Sequence, residues 1–309
     1  MARFAICSAA YPTKPAFVAA FRAGIEDAVR GAAEVRLVLA VEHGFDVGMV
    51  LRDLPANAKP DCVPAPAGTT PAGMRRIMIE TAAQVEADIL VFADFDDRLL
   101  PDSLALHAAA LEKAEISYGD LELIDAEGRP LGRRFFDGAE IPEAVEGPEA
   151  LLDRNFMGFT NTAVRRGTIS ARACRLPGDL VAVDWWFFTM LLAEGYRARR
   201  TAGSVARYRI HADNTLGAAA AANVAALRQR AAMAKRHYAA IAESVDVRSR
   251  LRVVGKLLAA LDRDPEGATA FLPGLRRRPS VWFDDVARAA AAAAGPGVGP
   301  GQQGHGLRR

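Results

Sequence analysis

The segment Val35–Val41 carries one charge, Arg36, among residues that are otherwise valine, leucine and alanine. A strand this apolar needs cover on both faces, the condition of a parallel strand inside an α/β sheet. Its neighbours supply that cover. Phe4–Ser8 is a second short apolar strand, and between the two lies a helical stripe with Phe17, Phe21, Ile25 and Val29 at four-residue spacing. A further helix is predicted over about Ala72–Ala87, with Ile77, Ile79 and Val85 partly on one face, and it leads into a strand that ends at Asp94. This βαβα succession predicts an α/β fold on a doubly wound, mostly parallel sheet with right-handed crossovers.

The pattern then changes. Pro101 opens a helix at its favoured first-turn position, with Leu104 and Leu111 on the buried side. Ile116–Ile124 and Pro130–Phe136 flank Asp125-Ala126-Glu127-Gly128 and read as a β-hairpin. Between about Gly138 and Arg175 no periodicity assigns an element, and Pro142, Gly147 and Pro148 mark loops. Asp184–Glu194 is predicted as a helix closed by Gly195, and Val205–Ile210 as a strand. Alanine-rich helices follow Leu216, with breaks near Asp246 and around Pro265 and Pro273. The organisation expected is a sheet-bearing domain over 1–217, a C-terminal helical extension over 218–288, and a disordered tail over 289–309.

Composition narrows the partners. Lys and Arg total 39 against 37 Asp and Glu, a formal charge of +2, so no nucleic-acid partner is expected. Cys7, Cys62 and Cys174 lie far apart without a Cys-x-x-Cys spacing, which implies neither a zinc site nor a disulfide framework and fits a reducing cytoplasm. Pro12, Lys14 and Pro15 interrupt the first apolar run before it can serve as a signal-peptide core. No apolar run approaches the roughly 18 residues of a membrane span.

The chemistry concentrates where Ile89-Leu90-Val91-Phe92-Ala93 runs into Asp94-Phe95-Asp96-Asp97. Three carboxylates so close repel one another unless a positive group joins them. At the C-terminal end of a parallel strand the usual counter-charge is a divalent cation holding a phosphorylated substrate. Asp94 and Asp96 both reach one crevice if the strand has given way to a turn, one near a nucleotide ribose and one on the metal. Hard oxygen ligands suit Mg²⁺ or Mn²⁺ rather than zinc. Asp97 is expected to cap the following turn, and a solvated acidic turn is the bland alternative for the whole cluster.

Three segments in order carry a resemblance. Asp94-Phe95-Asp96-Asp97-Arg98-Leu99-Leu100-Pro101-Asp102-Ser103-Leu104, Val183-Asp184-Trp185-Trp186 and Tyr208-Arg209-Ile210-His211-Ala212-Asp213-Asn214-Thr215-Leu216-Gly217 together resemble the family 2 glycosyltransferases of GT-A fold, rhamnosyltransferase-like members above all. The resemblance implies an inverting transfer of a sugar from a nucleoside-diphosphate donor to a hydroxyl of a glycan or lipid-linked acceptor, with Mn²⁺ or Mg²⁺ as cofactor. It makes Asp184 the general base, which is compatible with Asp184 also capping its helix. It makes His211 a metal or phosphate partner. Trp185 and Trp186 diverge by about 100° on a helix, so one is core and the other lines the acceptor pocket.

The donor base is expected at the first two strand ends, where the match loosens. Ala9, Ala10 and Tyr11 replace a Pro-Thr-Tyr-Asn-like turn, and Val41-Glu42-His43-Gly44 replaces an acidic segment, leaving Glu42 to accept hydrogen bonds from base or ribose. Arg75 takes the place of a family arginine near the donor phosphates, and Arg76 that of an asparagine. Downstream, Arg228, Arg230, Lys235, Arg236, Arg248, Arg250, Arg252 and Lys256 accompany an apolar stripe through Leu251, Val254, Leu257, Leu258 and Leu261. These read either as helices packed on the first domain with a solvated basic face, or as a peripheral contact with an anionic membrane. Two rivals remain. One is a haloacid-dehalogenase-like phosphohydrolase, though Arg98 occupies the position where that motif wants Thr or Val; the other is a non-catalytic nucleotide-binding scaffold.

Overall fold

Apolar residues of period two, and the helices that cover them, assemble into one ten-stranded sheet in the computed structural model, which describes residues 2–13, 15–211, 223–267, 269 and 281–294. The first half is the predicted parallel sheet. Strand β1 (Phe4–Ala10) lies between β2 (Val35–Val41) and β4 (Ile89–Phe92), and β3 (Ala58–Pro64) forms the outer edge; all four are parallel. Strand β3 escaped the sequence reading because its alternating polar residues and its two prolines, Pro60 and Pro64, look like a loop. An edge strand tolerates both.

Beyond β4 the sheet turns mixed. Strand β9 (Thr162–Arg165) inserts antiparallel between β4 and β6 (Ile116–Ile124), and β10 (Ala198–Arg209) runs parallel to β6. Strand β7 (Pro130–Arg134) completes the expected hairpin with β6, while β5 (Arg98–Leu99) and β8 (Ala144–Val145) are short antiparallel additions to β10. Strand β9 lies inside the stretch that periodicity left unassigned, and β10 is longer than predicted by its first half. That half carries Arg199, Arg200 and a bulged register between Arg200 and Ala206, which hides the alternation.

Helix α1 (Pro15–Val29) buries the predicted stripe of Phe17, Phe21, Ile25 and Val29. It comes so near β5 that a Cβ built on Gly24 would stand 2.7 Å from the Leu99 nitrogen. Between β2 and β3 sits the one-turn helix α2 (Gly48–Leu51). Helix α3 (Pro71–Ala82) starts on a Thr70 cap, whose hydroxyl accepts from the Gly73 N–H at 3.1 Å, and covers β1, β2 and β3. Helix α4 (Ser103–Leu111) packs on β6 and β10. The short α5 (Glu149–Leu152) and the apolar α6 (Val183–Ala193) precede the C-terminal helices.

Helices α7 (Val224–Ile241), α8 (Arg248–Arg263) and α9 (Asp284–Ala294) pack on one another, and α7 docks on α6. The break near Asp246 falls where predicted. Ala289 and Ala290 are buried in α9, so residues 289–294 are helix and not the tail expected there; residues 295–309 lie outside the described residues. Much of the basic surplus is internally paired: Arg230 with Asp285 in a buried contact, Arg250 with Asp153 at 2.8 Å, and Arg228 with Asp262 at 2.5 Å. Lys235, Arg236, Arg252 and Lys256 stay exposed. No helix among the described residues is long and apolar enough to cross a membrane. The boundary at 217, the motif residues Asp213–Gly217 and the Pro273 break lie outside the described residues.

Candidate active site

The C-terminal ends of β1, β4 and β10 open onto a single cavity of about 390 Å³, closed by α6, the loop before β9 and the residue Trp282. Its floor is fixed by the turn after β4. Phe95 points into the core, where Phe21, Phe45 and Tyr11 surround its ring at centroid distances of 4.8, 5.5 and 5.9 Å. Anchoring Phe95 there turns Asp94 and Asp96, on either side of it, toward the cavity. Arg209 locks the same turn from β10: its N–H donates to Asp97 Oδ1 at 2.7 Å, its Nε to the Asp96 carbonyl at 2.9 Å, and its guanidinium covers the Phe17 ring at 4.7 Å.

Each of the three aspartates therefore has its own work. Asp94 Oδ1 accepts from Arg75 Nη2, and Asp94 Oδ2 accepts from the Thr160 hydroxyl at 2.8 Å. Asp96 Oδ2 meets His211 Nε2 at 2.8 Å, with 13% and 8% of those side chains exposed. Asp97 is buried between Thr160 and the Arg209 N–H. Burial first, and then the charges of Asp96 and Asp94, raise its carboxyl well above the ordinary carboxylate range. Thr160 has one hydrogen for two acidic neighbours. A protonated Asp97 resolves the conflict by donating to Thr160, which passes its own hydrogen to Asp94. Asp97 is thus an internal brace and not the turn cap expected from sequence.

Asp184, in the first turn of α6, lines the same cavity. Its Oδ1 accepts from the Trp185 N–H at 2.7 Å, which favours the charge, but burial pushes the carboxyl up to about 7 and the nearby Asp94 adds to the rise. The structure thus brings Tyr11, Arg75, Asp94, Asp96, His211 and Asp184 to one cavity. Arg75 also lies over the Phe159 ring at 5.0 Å.

Other candidates fall elsewhere. Ala9 is buried in β1 opposite Ala40, and Glu42 lies just beyond β2, its N–H donating to the Ala10 carbonyl at 2.9 Å; neither lines the cavity. Arg76 turns outward toward Glu80. Both tryptophans proposed for an acceptor pocket are core. Trp185 is stacked by His237 at 3.8 Å and Phe283 at 4.3 Å and donates to the Leu151 carbonyl at 2.7 Å, and Trp186 is buried too. The physical reason is that α6 is interior on every side from Trp185 to Leu192, so a 100° divergence leads from one part of the core to another.

Phe159 and Trp282, which line the cavity, and Thr160, buried behind Asp94, went unrecognised. Phe159 and Thr160 fall in the unassigned stretch, where buried Asn161 staples the loop by accepting from the Gly158 N–H at 2.7 Å and donating to the Gly119 and Phe156 carbonyls at 2.7 and 3.0 Å. A short polar run between aromatics, Phe156-Met157-Gly158-Phe159-Thr160-Asn161-Thr162, was the available signal. Trp282 arrives from far along the chain, and nothing local announces it.

Asp96 Oδ2 and His211 Nε2 hydrogen-bond to each other at the cavity wall, so a divalent cation would have to replace that contact to take the two as ligands. No group of three or more His, Cys, Asp or Glu suited to an ion occurs among the described residues. A partial protein shell of this kind suits Mn²⁺ or Mg²⁺, which take one or two protein ligands and complete the shell with substrate phosphates and water.

No family model matches the chain, and no curated protein matches it in sequence. Solved structures do. The chain is similar to the mannosyltransferase PcManGT from Pyrobaculum calidifontis in complex with GDP-Man and Mn²⁺, with a TM-score of 0.57, 16% identity, and 95% of this chain and 86% of that one covered. It is similar as well to residues 1–349 of S. aureus TarS in complex with UDP-GlcNAc, with a TM-score of 0.53, 12% identity, and coverage of 94% and 91%. At such identities the likeness concerns architecture. The fold is GT-A, and the phosphohydrolase reading loses the scaffold it required.

Proposed function

We propose that this chain is a metal-dependent inverting glycosyltransferase that moves a hexosyl group from a nucleoside-diphosphate donor to a hydroxyl of a glycan or glycolipid. The observation that carries the reading is the sharing of one cavity by Asp94, Asp96, His211 and Arg75 with Asp184 of α6. The two similar structures are complexes with UDP-GlcNAc and with GDP-Man and Mn²⁺, which supports a nucleotide-sugar donor for a chain of this fold.

In this reading Asp96 and His211 hold the cation and Asp94 meets the ribose, with Tyr11 beside it. Arg75 lies near enough to share its charge between Asp94 and the diphosphate. When bound, the metal neutralises charge building on the departing diphosphate. Asp184 takes the proton from the acceptor hydroxyl as that oxygen attacks the anomeric carbon from the face opposite the leaving group, which inverts the configuration. A carboxyl with a proton affinity near neutrality suits this step, because it is ionised often enough to accept and basic enough to pull. Arg75 beside Phe159 is the phosphate-side cation of the same scheme. The exposed Lys235, Arg236, Arg252 and Lys256 support a peripheral contact of α7 and α8 with an anionic, lipid-bearing surface.

Thermal shift with UDP, GDP, dTDP and CMP, each with and without Mn²⁺, tests the donor side. A nucleotide at 100 times its dissociation constant should stabilise the fold by about 2.7 kcal/mol. A cation-dependent response to a nucleoside diphosphate, followed by transfer in the wild type and its loss in Asp184→Asn, is the expected result. A panel flat for every nucleotide would defeat the proposal and favour a scaffold without donor chemistry.

A further inference from the structure

We infer that Trp282, supplied by the C-terminal helical region, is the acceptor platform of this site: an aromatic ring on which an uncharged sugar lays its apolar C–H face while one of its hydroxyls meets Asp184. The inference rests on the transferase reading above and narrows the acceptor to a carbohydrate ring.

Position comes first. Trp282 lines the same cavity as Asp184. A Cβ built on Gly158 would stand 2.6 Å from Trp282 Cη2 and 3.2 Å from Asp184 Oδ2, so the six-membered edge of the indole and the carboxylate flank one backbone position. Only a residue without a side chain lets them come so close. Trp282, 9% exposed, and Asp184 thus meet at Gly158, and both line the cavity.

The ring is also held as a platform must be. The Trp282 carbonyl accepts from the Asn155 N–H at 2.8 Å in an antiparallel bridge. Phe135 packs on the indole at a centroid distance of 4.4 Å and Tyr208 meets it edge-on at 5.8 Å. The next residue, Phe283, stacks on Trp185, one position along α6 from Asp184. Platform and base are thus tied to the same helix, and their spacing does not depend on a mobile loop.

Chemistry then chooses the ligand. The cavity's cationic side chain, Arg75, is already engaged by Asp94, and its charge and that of Asp94 both reach Asp184. Ala182, Val183, Phe159 and Trp282 line the same cavity as that carboxyl. Aromatic rings and a hydrogen-bond acceptor in one cavity suit a sugar ring, with its apolar and hydroxyl-bearing faces. An aromatic contact of this size contributes enough that its loss should weaken binding about tenfold.

The test titrates methyl α- and β-glycosides of common hexoses and N-acetylhexosamines into wild type, Trp282→Phe and Trp282→Leu, with UDP or GDP and Mn²⁺ present and absent. Binding is read by tryptophan fluorescence and by saturation-transfer NMR, and acceptor and donor KM are compared in turnover with the best glycoside. At least one glycoside should bind the wild type, bind Trp282→Leu about tenfold more weakly, and recover in Trp282→Phe, with nucleotide affinity and melting temperature of the Phe variant unchanged. No glycoside response in the wild type, or an acceptor KM that Trp282→Leu leaves alone while nucleotide still binds, would overturn the platform and leave the transferase reading standing. Loss of nucleotide binding in the wild type would remove both.

Discussion

Across the cavity, aspartate is used in two contrasting ways. On the β4 side Asp94 is held by Arg75 and Thr160, Asp96 by His211, and Asp97 by Thr160 and the Arg209 N–H. On the α6 side Asp184 takes a hydrogen bond from its neighbour's backbone and is otherwise buried, with the opposed charges of Asp94 and Arg75 within reach. Multiple partners fix where an acid sits; burial among apolar groups instead raises the free energy of its charge and so its hunger for a proton. Under the proposed function a donor and cation need fixed oxygens and a base needs an unsettled one, and one residue type would serve both.

The contrast can be broken at several points, the largest effect coming from the base itself. Asp184→Asn should lower kcat by about 10²–10⁴-fold while leaving cation-dependent nucleotide affinity intact. Equal losses in both measurements would mean that the two roles are not separable. The second effect reaches the wall through its support. Asp285→Ala removes the buried Arg230–Asp285 ion pair between α7 and α9, and urea unfolding should record a loss of about 3–5 kcal/mol. A loss under about 1 kcal/mol, the range of exposed pairs, would show that α9 is held by something else.

Gly158→Ala comes next. Its new Cβ meets the indole of Trp282 at 2.6 Å, an overpacking that should cost about 1–3 kcal/mol by denaturation and displace the ring from Asp184. A fully stable, fully active variant would show that this approach is not needed. A further effect is in pH dependence. Because folding lifts the Asp184 carboxyl from 3.8 to about 7, the native state holds a proton that the unfolded chain releases, and stability should fall as pH rises through that window. The rate should rise over the same range toward a limb near 7. Asp184→Asn should remove this share of the stability slope, and an unchanged slope would place the titration elsewhere.

The legible parts of the molecule share a property: the information sits within a few residues. Strands β1, β2 and β4 and helix α1 follow from apolar spacing, because each fills one layer of the sheet regardless of what lies beyond it. The aspartate turn was readable for the same reason, since charge repulsion among Asp94, Asp96 and Asp97 is local. Strand β9 was not, because its antiparallel insertion between β4 and β6 is a matter of long-range pairing. The tryptophans show the limit most plainly. Trp185 and Trp186 drew attention beside an acidic residue, yet α7 and Phe283 cover them, while Trp282 stands 98 positions from Asp184 in the chain and beside it in space.

By itself the sequence determined the α/β layering, the crevice at the end of β4 and the acidic chemistry placed there, since periodicity and charge density act over short distances. Only the tertiary structure decided which acids share a cavity, which carboxyl braces the turn and which one is left poorly solvated. Partnership and burial belong to chain segments that meet after folding, and a side chain's proton affinity, reach and exposure are set by that company.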